Sequence, residues 1–107
     1  MLAQIQFGEN WVKVKNSIFY VPPHAVKVLK MWYRHELKYN TNASEKFIVD
    51  MLEYLAKAFT LLNPQNRDEA IYFLALLEDA YAVADYVMEL IDRIYANRNT
   101  NMMVREL

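Results

Sequence analysis

Residues 70–95 read AIYFLALLEDAYAVADYVMELIDRIY, and this stretch decides the predicted architecture. Its apolar residues recur at alternating spacings of three and four, which is the period of an α-helix with one side buried. They form two adjacent stripes, so the apolar arc is wider than the seam between two helices. The first stripe holds Ala70, Leu74, Leu77, Tyr81, Ala84, Met88, Ile91 and Tyr95, and the second holds Phe73, Leu76, Ala80, Val83, Val87, Leu90 and Ile94. The sequence therefore predicts one long helix that contacts at least two partners.

This predicted helix exposes more apolar surface than the rest of the chain is expected to cover. At about 1.5 Å per residue it would be about 40 Å long, longer than either helix that precedes it. We therefore expect the excess surface to bind a second copy of the chain or another protein. The side chains expected at that interface are Leu77, Tyr81, Met88, Ile91 and Tyr95.

Two shorter helices are predicted before the long one. The first begins near Pro23, because proline is well tolerated in the first turn of a helix, and it runs roughly to Tyr39. Asn42 precedes Glu45 by three residues, which is the spacing of a capping box at the start of the second helix. The apolar face of this second helix holds Ile48, Met51, Leu52, Leu55, Phe59 and Leu62. The residues 63–66, Asn-Pro-Gln-Asn, end it.

The first 21 residues have the alternating pattern of β-strands. Ala3, Ile5 and Phe7 share one side of a strand, and further alternating runs occupy residues 11–15 and 18–21. These runs predict an antiparallel hairpin or a three-stranded meander. The fold class is therefore α+β and mainly α, a three-helix bundle with a long C-terminal helix and this N-terminal sheet. We expect one domain over residues 1–107, made of a sheet (1–21), a helical bundle (22–98) and a flexible tail (99–107).

Composition excludes several classes of protein. The chain has 107 residues, of which 55% are hydrophobic and 23% charged, as expected for one globular domain. It has no cysteine, which excludes disulfides and thiolate metal sites, and its single glycine excludes glycine-rich phosphate loops. It has no long uncharged apolar run and no secretory signal, so we expect a cytoplasmic protein without a membrane contact.

Charge is distributed unevenly along the chain although the formal net charge is only −1. Residues 1–57 hold eight Lys and Arg against five Asp and Glu, whereas residues 58–107 hold four against eight. Between residues 11 and 38 there are six cations and one acid, interleaved with five aromatic side chains. This segment is the strongest candidate for contact with an anionic partner.

The candidate nucleic-acid interface lies in this basic and aromatic segment. If Val12 and Val14 face the core, Trp11, Lys13 and Lys15 project together from the opposite side of their strand. On the first helix, Lys27, Lys30, Arg34 and Lys38 are spaced by three, four and four residues, so they lie along one side. We expect the cations to contact phosphates and Trp11 to stack on bases. The alternative is that Phe19, Trp32 and Tyr33 belong to the core and that the cations only solvate the first helix or meet the acidic edge of the long helix.

No catalytic, metal or cofactor site is expected. Glu89-Leu-Ile-Asp92 resembles the ExxD half of the helical MazG-like nucleotide pyrophosphatases, but the second carboxylate pair of that family has no counterpart around Glu45, Asp50 and Glu53. The acids at 78, 85, 89 and 92 are expected to form a solvated edge of the long helix. His24 and His35 are eleven residues apart, too far along one helix to share a metal.

Three functions are ranked on these observations. The first is a non-catalytic accessory or regulatory protein that contacts nucleic acid and associates with itself through its long helix. The second is an adaptor or inhibitor that binds proteins and makes no nucleic-acid contact. A metal-dependent nucleotide hydrolase is the least favoured.

Overall fold

Three strands precede three helices and a further helical segment (89–94) in the computed structural model, which describes residues 4–81, 89–94 and 96. The strands are β1 (Ile5–Phe7), β2 (Trp11–Val14) and β3 (Ser17–Tyr20), and the helices are α1 (Pro23–Tyr39), α2 (Glu45–Leu62) and α3 (Arg67–Ala80). The strands form one antiparallel sheet in the order β1-β2-β3. The predicted mainly helical chain with an N-terminal three-stranded sheet is confirmed.

The sheet has one buried face and one face toward solvent. Val12 and Val14 have no exposed surface, and Phe19, which pairs with Val12, is also buried. These side chains pack toward α1 and α2. The opposite side, here called the outer sheet face, carries Gln6, Trp11, Lys13, Ile18 and Tyr20. Strand alternation therefore places Trp11 and Lys13 on the solvent side, as predicted.

The helix ends are set by local hydrogen bonds. Pro22 precedes α1, and the Ser44 hydroxyl accepts the backbone N–H of Phe47 at 3.1 Å, so Ser44 caps α2. The predicted cap, Asn42, was wrong because residues 40–43 form a turn in which the Ala43 N–H donates to the Asn40 carbonyl. The true cap is therefore two positions further along the chain than the predicted one.

Tyr54 of α2 links this helix to α3 at the centre of the core. It is 1% exposed, and its hydroxyl donates to the backbone carbonyl of Leu77 at 2.9 Å, which ties α2 to α3. Burial raises the pKa of the Tyr54 phenol, with a further contribution from Tyr81. The other large, fully buried side chains around it include Leu29, Leu52, Leu55 and Phe59. Of the predicted apolar face of α2, Leu62 is the exception, because it lies half-exposed at the last residue of the helix.

The predicted continuous helix from residue 70 to residue 95 was wrong. The helix α3 ends at Ala80, and the ring of Tyr81 packs against Phe47 near the start of α2. A straight continuation would place Asp92 about 30 Å from Lys57. Instead, the Lys57 Nζ atom lies 2.6 Å from the Asp92 Oδ1 atom. The helical residues 89–94 thus lie beside α2 and not in line with α3.

The Tyr54 hydrogen bond predicts a stability effect. In a Tyr54→Phe variant the buried Leu77 carbonyl loses its donor, and we expect a loss of about 1–3 kcal/mol in the free energy of unfolding. Urea denaturation measures it. The matched control is Tyr72→Phe, because Tyr72 is 61% exposed and its substitution should change stability little. Equal effects of the two substitutions would contradict this role of Tyr54.

Candidate nucleic-acid interface

Aromatic and basic side chains share the outer sheet face. The register pairs Trp11 with Tyr20 and Lys13 with Ile18 across β2 and β3. Tyr20 is 64% exposed and Ile18 is 45% exposed, whereas Trp11 and Lys13 are half-buried. Side chains that are directly opposite each other on one face of a sheet have their Cβ atoms only about 5 Å apart. Two aromatic rings and one cation are thereby gathered in a small area that solvent can reach.

The indole of Trp11 lies across Gly8, which leaves space for the ring. A Cβ atom at residue 8 would lie 2.1 to 2.6 Å from three atoms of the Trp11 ring, so only glycine leaves room for it. In addition, the Gly8 N–H donates to the Trp11 carbonyl at 2.8 Å across the turn between β1 and β2. The single glycine of the chain therefore sets the position of the aromatic side chain expected to contact bases.

The four predicted cations of α1 form a continuous surface, here called the basic stripe, made of Lys27, Lys30, Arg34 and Lys38. Lys30 is half-buried and the other three are exposed. Within the described part of the chain, none of the four has a carboxylate within ion-pair distance. The Lys38 ammonium lies 5.3 Å from the centre of the Tyr39 ring, a cation–π distance.

A contact between β1 and α1 brings the sheet beside the helix that carries the basic stripe. The ring of Phe7 on β1 lies 5.9 Å from the ring of Tyr33 on α1, so this strand is adjacent to that side of the helix. Lys30 precedes Tyr33 by three residues and therefore lies on the same side of α1. On the other face of β1, Gln6 pairs with Lys13. Lys13 therefore lies one strand away from β1, the strand that contacts α1.

Lys15 does not join the predicted interface. It begins the two-residue turn between β2 and β3, has a positive φ of 58°, and therefore leaves the alternation of the strand. Its Nζ atom lies 2.7 Å from Asp50 Oδ1 and 3.1 Å from Glu53 Oε1. Hydrogen bonds to Asp50 and Glu53 raise the pKa of Lys15. Hydrogen bonds from Lys15, and next in size from Lys46, lower the pKa of the Asp50 carboxyl group. The charge of Lys15 is already compensated.

The aromatic side chains of this segment divide between core and surface. Phe19, Trp32 and Tyr33 are buried, as the core alternative predicted. The indole N–H of Trp32 donates to Glu78 Oε2 at 2.9 Å, which joins α1 to α3. Tyr20 is the surface residue that sequence reasoning did not single out. Its position one residue after buried Phe19 was the available signal, because alternation places it beside Trp11.

The side chains predicted for a partner interface on the third helix have different locations. Leu77 and Ile91 are buried in the chain's own core, and Tyr81 is half-buried between the rings of Phe47 and Tyr54, at 5.4 and 5.3 Å. Met88 and Tyr95 lie outside the described residues. Other apolar side chains of α3 are exposed to solvent: Ile71, Tyr72 and Leu76 are 41%, 61% and 48% exposed.

Asp92, Glu89 and His24 have contacts within the chain. Asp92 pairs with Lys57, and Glu89 lies 3.4 Å from Arg93, so both acids of the ExxD spacing face cations. The Nε2 atom of His24 lies 2.7 Å from the Pro64 carbonyl oxygen. Over residues 4–81, 89–94 and 96, no three His, Asp or Glu side chains are grouped as metal ligands. Among the same residues, no helix has the length and apolar character needed to cross a membrane.

Comparison with known proteins finds similarity to one viral protein. The chain is 28% identical over 98 residues to "Uncharacterized protein 19" of Sulfolobus islandicus filamentous virus (isolate Iceland/Hveragerdi), and the alignment covers 88% of this chain and 89% of that protein. No protein-family model matches the chain, and no solved structure matches it. The similarity extends over nearly the whole length of both proteins.

The ion pairs of Lys15 predict a pH-dependent stability. We expect Lys15→Gln to lower the free energy of unfolding at neutral pH by less than about 1 kcal/mol, because solvent screens both partners. Asp50 has a lowered pKa, so its contribution is present above the ordinary value of 3.8 and is lost as the pH falls through the lowered folded-state value. Urea denaturation at pH 7 and at about pH 2 should show that the difference in the free energy of unfolding between Lys15→Gln and wild type is smaller at the lower pH.

Lys13→Gln is the control for this comparison. Lys13 makes no ion pair within the described residues, so its substitution should leave stability nearly unchanged at both pH values. A Lys15→Gln effect that persists undiminished in acid would contradict an electrostatic origin.

Proposed function

We propose that this protein is a non-catalytic accessory or regulatory protein that contacts nucleic acid through the basic stripe and the outer sheet face. The observation that carries the proposal is the separation of paired from unpaired cations. Lys15, Lys46 and Lys57 contact carboxylates of α2 or of residues 89–94. Lys13 and the basic stripe have no such contact within the described residues. Their charge is therefore available to an external anion.

Phosphate groups are the anions that suit this arrangement. A row of cations along a helix neutralises successive phosphates and releases the counterions condensed around the nucleic acid, which favours binding at low salt. The sequence pI of about 6.1 is low for a nucleic-acid-binding domain, so the attraction must come from one side of the molecule. The excess of acids in residues 58–107 accounts for the low value without placing negative charge in the basic stripe.

Charge reversal in the basic stripe tests the proposal. In a Lys27→Glu, Lys30→Glu variant we expect weaker binding to oligonucleotides, and the slope of log affinity against log salt should fall by about two units, one for each lost phosphate contact. Fluorescence anisotropy at two or more salt concentrations measures both quantities.

A double variant with the same change in net charge provides the control. In Lys46→Glu, Arg93→Glu the substitutions replace cations that already contact Asp50 and Glu89, so the salt slope should stay close to that of wild type. No binding of the wild-type protein at low salt, or an equal loss in both double variants, would contradict the proposal.

A protein-binding surface on α3 is the second candidate function. Ile71, Tyr72 and Leu76 are exposed on this helix, and Met31 of α1 is 59% exposed across the groove that α1 and α3 form. The groove has a volume of about 360 Å³ and is also lined by Val28 and Leu74. Adjacent exposed apolar side chains are typical of protein contacts. This surface supports self-association, or an adaptor or inhibitor role, better than the buried Leu77 and Ile91.

Light scattering of a Leu76→Glu variant tests this second candidate. If the apolar side chains of α3 form a contact between copies, a charge at residue 76 should convert the wild-type oligomer to a monomer. The matched control is Leu62→Glu, because Leu62 is 45% exposed at the end of α2 and Leu76 is 48% exposed. A monomeric wild-type protein at high concentration would contradict self-association.

A further inference from the structure

We infer that the outer sheet face is a stacking platform for unpaired bases, so that the preferred ligand is a single-stranded nucleic acid and not a duplex. This inference rests on the proposed function and adds the class of nucleic acid. It also assigns a binding role to Tyr20, which the charge pattern of the sequence does not indicate.

The first support is the pairing of two aromatic residues across neighbouring strands. Trp11 and Tyr20 are directly opposite each other in the register of β2 and β3, so both rings leave the sheet on the same side. Tyr20 exposes 64% of its surface although the chain has a core that buries Tyr33 and Tyr54. An exposed aromatic pair on a sheet is suited to stack on the flat faces of bases.

The second support is that the Trp11 ring already packs against the backbone at Gly8 without a ligand. Gly8 lets the Trp11 indole lie against the backbone, and a Cβ atom there would collide with the ring. A side chain that is already ordered loses little conformational entropy on binding. Trp11 therefore offers a preformed stacking surface, whereas Tyr20 supplies an accessible one.

The third support is the charge around the aromatic pair. Lys13 lies between the two rings in sequence and on the same face, and it has no ion pair within the described residues. Lys30, a member of the basic stripe, lies three residues before Tyr33, the α1 residue that contacts β1. A single strand has a flexible backbone that can follow cations from one surface to the next while its bases stack on Trp11 and Tyr20.

A duplex does not fit the same surface. Its bases are stacked on one another and present only their edges in the grooves, so the faces of Trp11 and Tyr20 would have no partner. A duplex could still contact the basic stripe through its phosphates. The aromatic pair, and not the cations, is therefore the feature that distinguishes the two ligands.

The test compares Tyr20→Ala with Leu62→Ala in the full-length protein. The probes are a labelled oligodeoxythymidylate of about 16 nucleotides and a duplex of the same length, measured by anisotropy at low salt. We expect Tyr20→Ala to weaken binding of the single strand by roughly 5- to 100-fold and to leave duplex binding unchanged. Leu62 is 45% exposed at the last residue of α2, outside both proposed surfaces, so Leu62→Ala should bind both probes as wild type does.

Tryptophan fluorescence gives a second readout of the same contact. Trp32 is 6% exposed and hydrogen-bonded to Glu78, so quenching by bound bases should come from Trp11. We expect the single strand to quench the wild-type signal and a Trp11→Leu variant, if its circular dichroism matches wild type, to lose that quenching. Should this variant fail to fold, Tyr20→Ala alone decides the outcome.

The outcomes separate this inference from the proposed function. Wild-type binding that is equal for both probes, or that Tyr20→Ala does not change, overturns the single-strand inference while the role of the basic stripe stands. No binding of either probe at low salt overturns both. If Tyr20→Ala instead converts a wild-type dimer to a monomer, the outer sheet face is a contact between copies and the inference is also overturned.

Discussion

The burial of Val12 and Val14 beneath the sheet is the constraint on which the rest of the structure depends. Because successive side chains of a strand point to opposite faces, fixing these two valines in the core also fixes Trp11 and Lys13 on the solvent side. A slip of one residue in register would bury the lysine and expose the valines. The hydrophobic core thus determines the chemistry of the outer sheet face without any contact to it.

The distribution of charge follows from the same packing. The inner face of the sheet lies on α1 and α2, and the acids at one side of α2 are close enough to pair with the turn that carries Lys15. These acids thereby hold the turn of the sheet against α2, and Lys15 is no longer available to the proposed interface. No carboxylate pairs with the basic stripe within the described residues, because the side of α1 that carries it is turned toward solvent. The net charge of such a molecule therefore does not indicate where its unpaired cations lie.

Local patterns predicted most of the fold, and the errors arose where tertiary contacts decide. The start of α1 at Pro23 and its end at Tyr39 follow from proline and asparagine chemistry that acts over one or two residues. The extent of α3 does not, because uninterrupted helical periodicity cannot reveal that Asp92 returns to contact Lys57. The cap at Ser44 was missed for a smaller reason, since Asn42 and Ser44 are both good capping residues and only the turn at 40–43 selects between them.

The candidate site was predicted in part. Alternation correctly grouped Trp11 with Lys13, and helical spacing grouped the basic stripe, but a turn residue such as Lys15 has no face that alternation can assign. Tyr20 was counted among the aromatic residues of the basic segment but was not assigned to the face of Trp11, although alternation from buried Phe19 indicates that face; the register of the folded sheet adds that the two residues are directly opposite. The contact between Gly8 and Trp11 has a consequence for sequence change in this protein. A larger residue at position 8 becomes acceptable only after position 11 has lost its ring, so the two sites are expected to vary together, and a substitution at either one alone carries a penalty that the other can relieve.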